Sequence, residues 1–255
     1  MSSYFITGAN RGLGLALTSH LAQLPASQVS TIFAGTRAPS ASGDLQKLID
    51  SSGGRVVHTS VAITDRASID KAVLEVDARL EGRGLDVLIN NAGAMHWVPE
   101  GGIAKMDNLR EAFEINVQAV QNTTAAFIPL LRKGSLKKVV NISTTLGSIA
   151  QSHKYMWGSA PAYKITKAAL NMLTVQYALE YEKEGFIIFA VSPGWLKTDL
   201  GSQSADLNVE VGARAVVDII LNSTSKDVGA FRNILVPGWE KTDGPNQYDG
   251  VNPPW

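Results

Sequence analysis

Tyr4-Phe5-Ile6-Thr7-Gly8-Ala9-Asn10-Arg11-Gly12-Leu13-Gly14 stands near the start of the chain, and the rest of the architecture follows from it. Tyr4 to Thr7 reads as a short buried strand. Leu15, Leu17, Leu21 and Leu24 then repeat with helical spacing. A strand that passes through a glycine-rich turn into a helix makes a phosphate cradle. Glycines let the backbone approach a pyrophosphate, and the helix N-terminus offers unpaired N–H groups with a partial positive charge.

Working outward, apolar runs and helical patterns alternate. Strands are expected at 31–35, 56–61, 85–90, 138–143, 186–192 and 233–236, with helices around 68–80, 109–131, 162–184 and 210–221. This alternation predicts an α/β fold, a single-domain Rossmann fold whose doubly wound parallel sheet of about seven strands is flanked by helices. One domain spans 1–255, with substrate loops near 94–107, 148–162 and 199–210 and an irregular arm over 237–255. Ligands in such sheets bind beyond the carboxyl ends of the strands.

The bulk composition narrows the function. The 255 residues carry no net charge, so no basic excess favours nucleic acid or an anionic membrane. Mean hydropathy is close to zero, and no long apolar run predicts a membrane span. Without cysteine, disulfides, thiolate catalysis and cysteine–zinc sites are excluded, and no metal-ligand spacing is present. A cleavable presequence is not expected, since cleavage would remove the loop at Thr7. A cytoplasmic protein is the expectation.

The strand ends carry unusual residues. Asn90-Asn91-Ala92-Gly93 follows the fourth strand, and Asn116 lies in Phe113-Glu114-Ile115-Asn116-Val117. Asn141-Ile142-Ser143-Thr144 ends the fifth strand. Tyr163 and Lys167 are four apart at a helix start, and Ser192-Pro193-Gly194 leads to Thr198. Together with the glycine loop, in this order, these motifs resemble the short-chain dehydrogenase/reductase family over the chain up to about Thr198. The stretch before Tyr163 resembles the carbonyl-reductase branch related to C-factor, and also fungal polyketide ketoreductases, which the Pro-Pro-Trp ending echoes.

The resemblance implies a cofactor held by Gly8, Asn10, Arg11, Gly12, Leu13 and Gly14 at its pyrophosphate and adenosine ribose. Asn91, Ala92 and Gly93 would line its adenosine side, and Pro193, Gly194, Leu196 and Thr198 its nicotinamide. NAD-binding chains place a carboxylate at the end of the second strand. Here Thr36-Arg37 stands there, with no Asp or Glu before Asp44, and Arg11 lies in the glycine loop. Guanidinium forks suit a 2′-phosphate, so NADP(H) is expected. The family's adenine-binding Asp is replaced by Ala62, which leaves the backbone of Ala62 and Ile63 and forfeits about 1 kcal/mol. Asp65 is expected to cap the next helix.

Tyr163 and Lys167 face the same way on a helix. A phenol is a poor acid at neutral pH, and an adjacent ammonium is expected to lower its pKa. Tyr163 would pass a proton to a carbonyl oxygen, Lys167 would also hold the nicotinamide ribose, and Asn116 would hold a water linking Lys167 to solvent. The family's substrate-polarising serine aligns with Thr144, and Ser143 is the second choice, since strand neighbours point to opposite faces. Met95, His96, Trp97, Tyr155, Met156, Trp157, Trp195 and Trp239 either wall a pocket for a bulky aromatic ketone or close the rim of the core. The expected partner is a small-molecule carbonyl or alcohol substrate. The resemblance also implies pairing, as homodimer or homotetramer, through the helices starting near Asp107 and Ala162. Two rival readings are a non-catalytic NADPH sensor or scaffold, and a reductase of a polycyclic phenol or quinone.

Overall fold

Apolar runs that are covered on both faces become strands in the computed structural model, which describes residues 1–41, 43–95 and 102–255. The strands are β1 (Ser2–Thr7), β2 (Val29–Thr36), β3 (Val56–Ser60), β4 (Val87–Asn90), β5 (Lys138–Ile142), β6 (Ile187–Ser192) and β7 (Phe231–Asn233). They form one sheet in the order β3-β2-β1-β4-β5-β6-β7, every neighbouring pair parallel. The helices are α1 (Gly12–Gln23), α2 (Gly43–Ser51), α3 (Arg66–Leu80), α4 (Leu109–Phe113), α5 (Ala119–Lys133), α6 (Pro161–Tyr181) and α7 (Val209–Asn222).

One face of the sheet buries Ile32, Val140 and Phe189 against Leu17 and Leu21 of α1 and Val217 of α7. The other buries Phe5, Phe33 and Ile188 against Val76 of α3 and Phe127 of α5. From β1 the chain winds outward to β3, then returns to β4 on the opposite side of β1. Helices therefore leave β1 and β4 toward opposite faces, and a crevice opens at the carboxyl ends of these two strands. No helix among the described residues is long and apolar enough to cross a membrane.

Three elements depart from expectation. Helix α2 was not anticipated, although Leu45, Leu48 and Ile49 repeat with helical spacing. The helix expected over 109–131 is interrupted between α4 and α5 by a π turn, Glu114–Gln118. The last strand ends at Asn233 rather than running from 233 to 236. Beyond it the chain pairs with its own tail: Val236 N–H donates to Tyr248 O at 2.8 Å, and Gly250 N–H to Ile234 O at 3.1 Å. That antiparallel contact takes the backbone groups that would have continued the parallel ladder.

Candidate active site

The glycine loop is fixed from β4. Asn91 Nδ2 donates to Thr7 O at 2.8 Å, and Thr7 Oγ1 accepts from the N–H groups of Asn91 and Ala92, each at 3.0 Å. A Cβ on Gly14 would lie 2.2 Å from Gly8 O, so only glycine closes this turn. Helix α1 begins there with no side-chain cap and no acidic residue in its first turn. Its first N–H groups thus face the crevice without an internal partner, which is what an anionic group requires. The loop fits a dinucleotide pyrophosphate on this ground.

Around the loop, the expected residues divide. Gly8, Asn10, Arg11, Gly12, Leu13, Gly14, Arg37, Ala62, Ile63, Asn91, Ala92 and Gly93 all border one cavity of about 1100 Å³. Thr36 does not. It is buried, its hydroxyl donates to Ala38 O at 3.2 Å, and it lies 2.8 Å from His58 Nε2. At the end of β2 its side chain is turned to the neighbouring strand β3, so only Arg37 of that pair reaches the cavity. Arg11 is also engaged differently: its guanidinium bonds Asp199 Oδ2 at 2.7 Å across the cavity mouth. Asp199 comes from the distant loop after β6, and both side chains are largely exposed. Ala62 offers no side-chain acceptor; its N–H donates to Ser68 Oγ at 2.9 Å. Asp65 caps α3, accepting from Ala67 N–H at 3.0 Å.

The same cavity continues to the carboxyl end of β5 and the first turns of α6, where Thr144, Tyr163 and Lys167 line it. Pro161 occupies the first turn of α6, where its missing N–H costs no hydrogen bond. Tyr163 and Lys167 are then buried one turn apart, with Lys167 Nζ 5.5 Å from the Tyr163 ring centroid. Lys167 donates to Ile142 O at 2.7 Å. Burial pushes the Lys167 pKa down to about 8. It pushes the Tyr163 phenol up, contrary to the expected lowering. Desolvation of a nearly enclosed phenol outweighs an ammonium that is itself destabilised by burial. Tyr163 is therefore held as a protonated acid.

Ser143 and Thr144 both border the cavity, but their hydroxyls have different partners. Ser143 Oγ is buried and donates to Asn171 Oδ1 of α6 at 2.6 Å. Thr144 Oγ1 accepts Leu146 N–H at 3.2 Å, which leaves its own proton available to the cavity. Asn116, in the π turn, stands behind the cavity rather than on it. Its Oδ1 accepts Ala94 N–H at 2.9 Å, and its Nδ2 donates to Ala94 O at 2.8 Å and to Thr166 Oγ1 at 3.1 Å. Its side chain thereby ties the loop after β4 to α6.

At the far end the cavity is bordered by Met95, Tyr155, Trp157 and Trp195, with Pro193, Gly194, Leu196 and Thr198 between them and the glycine loop. The Trp157 and Trp195 rings pack with centroids 5.2 Å apart. His96 and Trp97 lie outside the described residues. Met156 is exposed, and Trp239 packs behind the wall on Tyr248, at 5.5 Å. Sequence reasoning missed Asn246 and Tyr248, which reach the cavity from the C-terminal arm. A tyrosine inside an otherwise polar, Pro/Gly-rich tail was the available signal.

The sequence profile of the short chain dehydrogenase family matches residues 3–208. The chain is 30% identical over 232 residues to the short-chain dehydrogenase anuI of Penicillium roqueforti (strain FM164), spanning 88% of this chain and 90% of that one. It is 32% identical over 172 residues to C-signal of Myxococcus xanthus, spanning 67% of this chain and 93% of that one. The crystal structure of an NADPH-bound carbonyl reductase from chicken fatty liver superposes with a TM-score of 0.82 at 35% identity, over 91% of this chain and 95% of that one.

Proposed function

The chain belongs to the short-chain dehydrogenase family, and from that footing we propose that it is an NADPH-dependent carbonyl reductase acting on a bulky, largely apolar aromatic ketone. One observation carries the reading: the anion cradle of α1 and the Thr144, Tyr163 and Lys167 side chains border a single cavity. Bound NADPH supplies the hydride. The glycine loop would hold its pyrophosphate, and Arg37, exposed at the end of β2 with no carboxylate beside it in sequence, its 2′-phosphate. Tyr163 and Lys167 would hold the nicotinamide ribose, and Pro193, Gly194, Leu196 and Thr198 the nicotinamide.

The protein's own groups handle the carbonyl. Thr144 donates a hydrogen bond to the carbonyl oxygen and orients it. Tyr163 gives its proton to that oxygen as negative charge develops there. Lys167, close to the ring and charged below pH of about 8, stabilises the phenolate that remains. Asn116 positions the Ala94 backbone and the Thr166 turn on either side of this pair. The reverse reaction uses the same groups in the opposite order. A homodimer or homotetramer accords with the exposed Ile165, Met172 and Leu179, which repeat every seven residues along α6.

The test is NADPH oxidation across small, aromatic and polycyclic ketones and quinones, with NADH in parallel. Turnover of aromatic ketones is expected. Tyr163→Phe should lower kcat by about 10²–10⁴-fold while NADPH still binds. Undiminished turnover in that variant would remove Tyr163 from the chemistry, and turnover of quinones alone would favour the rival substrate class.

A further inference from the structure

The arm after β7 doubles back on itself. Tyr248 N–H donates to Trp239 O at 3.0 Å, and Val236 N–H to Tyr248 O at 2.8 Å. This places Asn246 and Tyr248 on the cavity wall, 9% and 3% exposed. Tyr248 is wedged against the loop after β6: a Cβ on Gly194 would lie 3.1 Å from its ring, and Gly194 has φ +84. The position therefore demands glycine for its backbone conformation as well as for this close approach.

Hydrogen-bond direction is fixed through the cluster. Trp195 N–H donates to Tyr248 Oη at 3.0 Å, so the phenolic proton must go elsewhere, and it goes to Asp206 Oδ2 at 2.5 Å. Burial and the bond to Asp206 both push the Tyr248 phenol up, so it stays a donor. Asn246 Nδ2 donates to the same carboxylate oxygen at 2.7 Å. An ionised carboxylate only accepts, which settles the amide's orientation and turns Asn246 Oδ1 away from Asp206. That oxygen takes no hydrogen bond from the described residues. The wall thus presents an oriented, accessible acceptor in a cavity that the Trp157–Trp195 pair also lines. A ligand that covers this acceptor strips its water and is penalised if it brings no proton in exchange, so such a position discriminates between ligands that do and do not donate to it.

We propose that Asn246, oriented by Asp206 and Tyr248, forms the polar end of the substrate site and selects aromatic ketones that carry a hydroxyl group remote from the reacting carbonyl. The proposal rests on the reductase reading and adds the substrate's second functional group. It makes Asn246 a specificity residue and Asp206 and Tyr248 its positioning residues. The alternative role for the cluster is to hold the loop after β6 in place, which would affect all substrates alike.

Matched probes separate these. The full-length protein would be assayed with 1-tetralone, 6-hydroxy-1-tetralone and 6-methoxy-1-tetralone, the last keeping the oxygen but lacking the proton. Binding of each to the NADPH-loaded and cofactor-free protein would be followed by quenching of tryptophan fluorescence. The hydroxy ketone should exceed the methoxy ketone by about tenfold in kcat/KM, the worth of one well-made hydrogen bond. In Asn246→Leu that ratio should fall to about one, and Tyr248→Phe should reduce it. Turnover with no preference in the wild-type protein overturns the subsite and leaves the reductase reading standing. Preferential binding of the hydroxy ketone without turnover keeps the subsite and overturns the reductase. A preference that survives Asn246→Leu overturns the assignment to Asn246. Neither turnover nor binding of any probe overturns both.

Discussion

Lys167 is a buried cation whose Nζ donates to a strand carbonyl and sits beside the Tyr163 ring. Its pKa, lowered to about 8 by burial, falls within an accessible range, whereas the Tyr163 pKa is raised. Below that value Lys167 is charged and stabilises the phenolate left by proton transfer. As pH rises through about 8 the charge is lost, and with it that stabilisation. Reduction should therefore be pH-independent in the acidic direction and decline above pH of about 8; a kcat/KM profile from pH 6 to 10 reads this directly, and a flat profile would contradict it. Arg37 makes a different residue-scale prediction. Arg11 is engaged in an exposed ion pair with Asp199, whereas Arg37 has no ion-pair partner among the described residues and is the freer guanidinium for a 2′-phosphate. Arg37→Ala should raise KM for NADPH by about 10- to 100-fold, as expected for charge-assisted hydrogen bonds, while KM for NADH stays within a factor of about two. Equal effects on the two cofactors would reassign it.

Between α4 and α5 the π turn brings Asn116 into position. A regular helix would rotate every following side chain away from its present direction, and π turns often mark functional sites for that reason. From the π turn Asn116 reaches two further elements: the loop after β4 through both polar groups of Ala94, and α6 through Thr166. Alongside it, Asn90 of β4 donates to Asn141 Oδ1 of β5 at 2.8 Å, and Asn141 donates to Thr174 of α6 at 2.8 Å. The polar strand ends thus pin α6 to the sheet two turns beyond Lys167. Asn116→Ala leaves Ala94 and Thr166 without their partner and should cost about 2–3 kcal/mol. A lower urea midpoint with an unchanged denaturant slope would show it, together with weaker NADPH binding as the Asn91–Ala94 loop loosens. A midpoint equal to that of the wild type would mean the turn holds its shape without the side chain.

Across the whole molecule, the cavity is assembled from segments that the chain's numbering keeps far apart: a glycine loop near residue 8, a helix start near 161 and an arm beyond 237. The arm reaches past the cavity as well. Ala150 N–H donates to Trp255 O at 3.0 Å, Ser148 Oγ donates to Pro254 O at 2.6 Å, and Trp255 stacks on Phe231 at 5.3 Å. The segment that follows Thr144 is thereby braced by the final residues. The sequence by itself determined the strand–loop–helix cradle, the alternation that yields a parallel sheet, the Asp65 cap and the one-turn pairing of Tyr163 with Lys167. Each depends on neighbours within a few positions, where periodicity and spacing carry the physics. Only the tertiary structure decided that the Ser143 hydroxyl is given to Asn171 while Thr144 keeps its proton free, that Thr36 turns to His58, that Arg11 meets Asp199 188 residues away, and that Asn246 and Tyr248 close the substrate end. Those outcomes depend on which hydrogen-bond partner or low-dielectric neighbour packing brings alongside, and no local pattern encodes a partner supplied by another element.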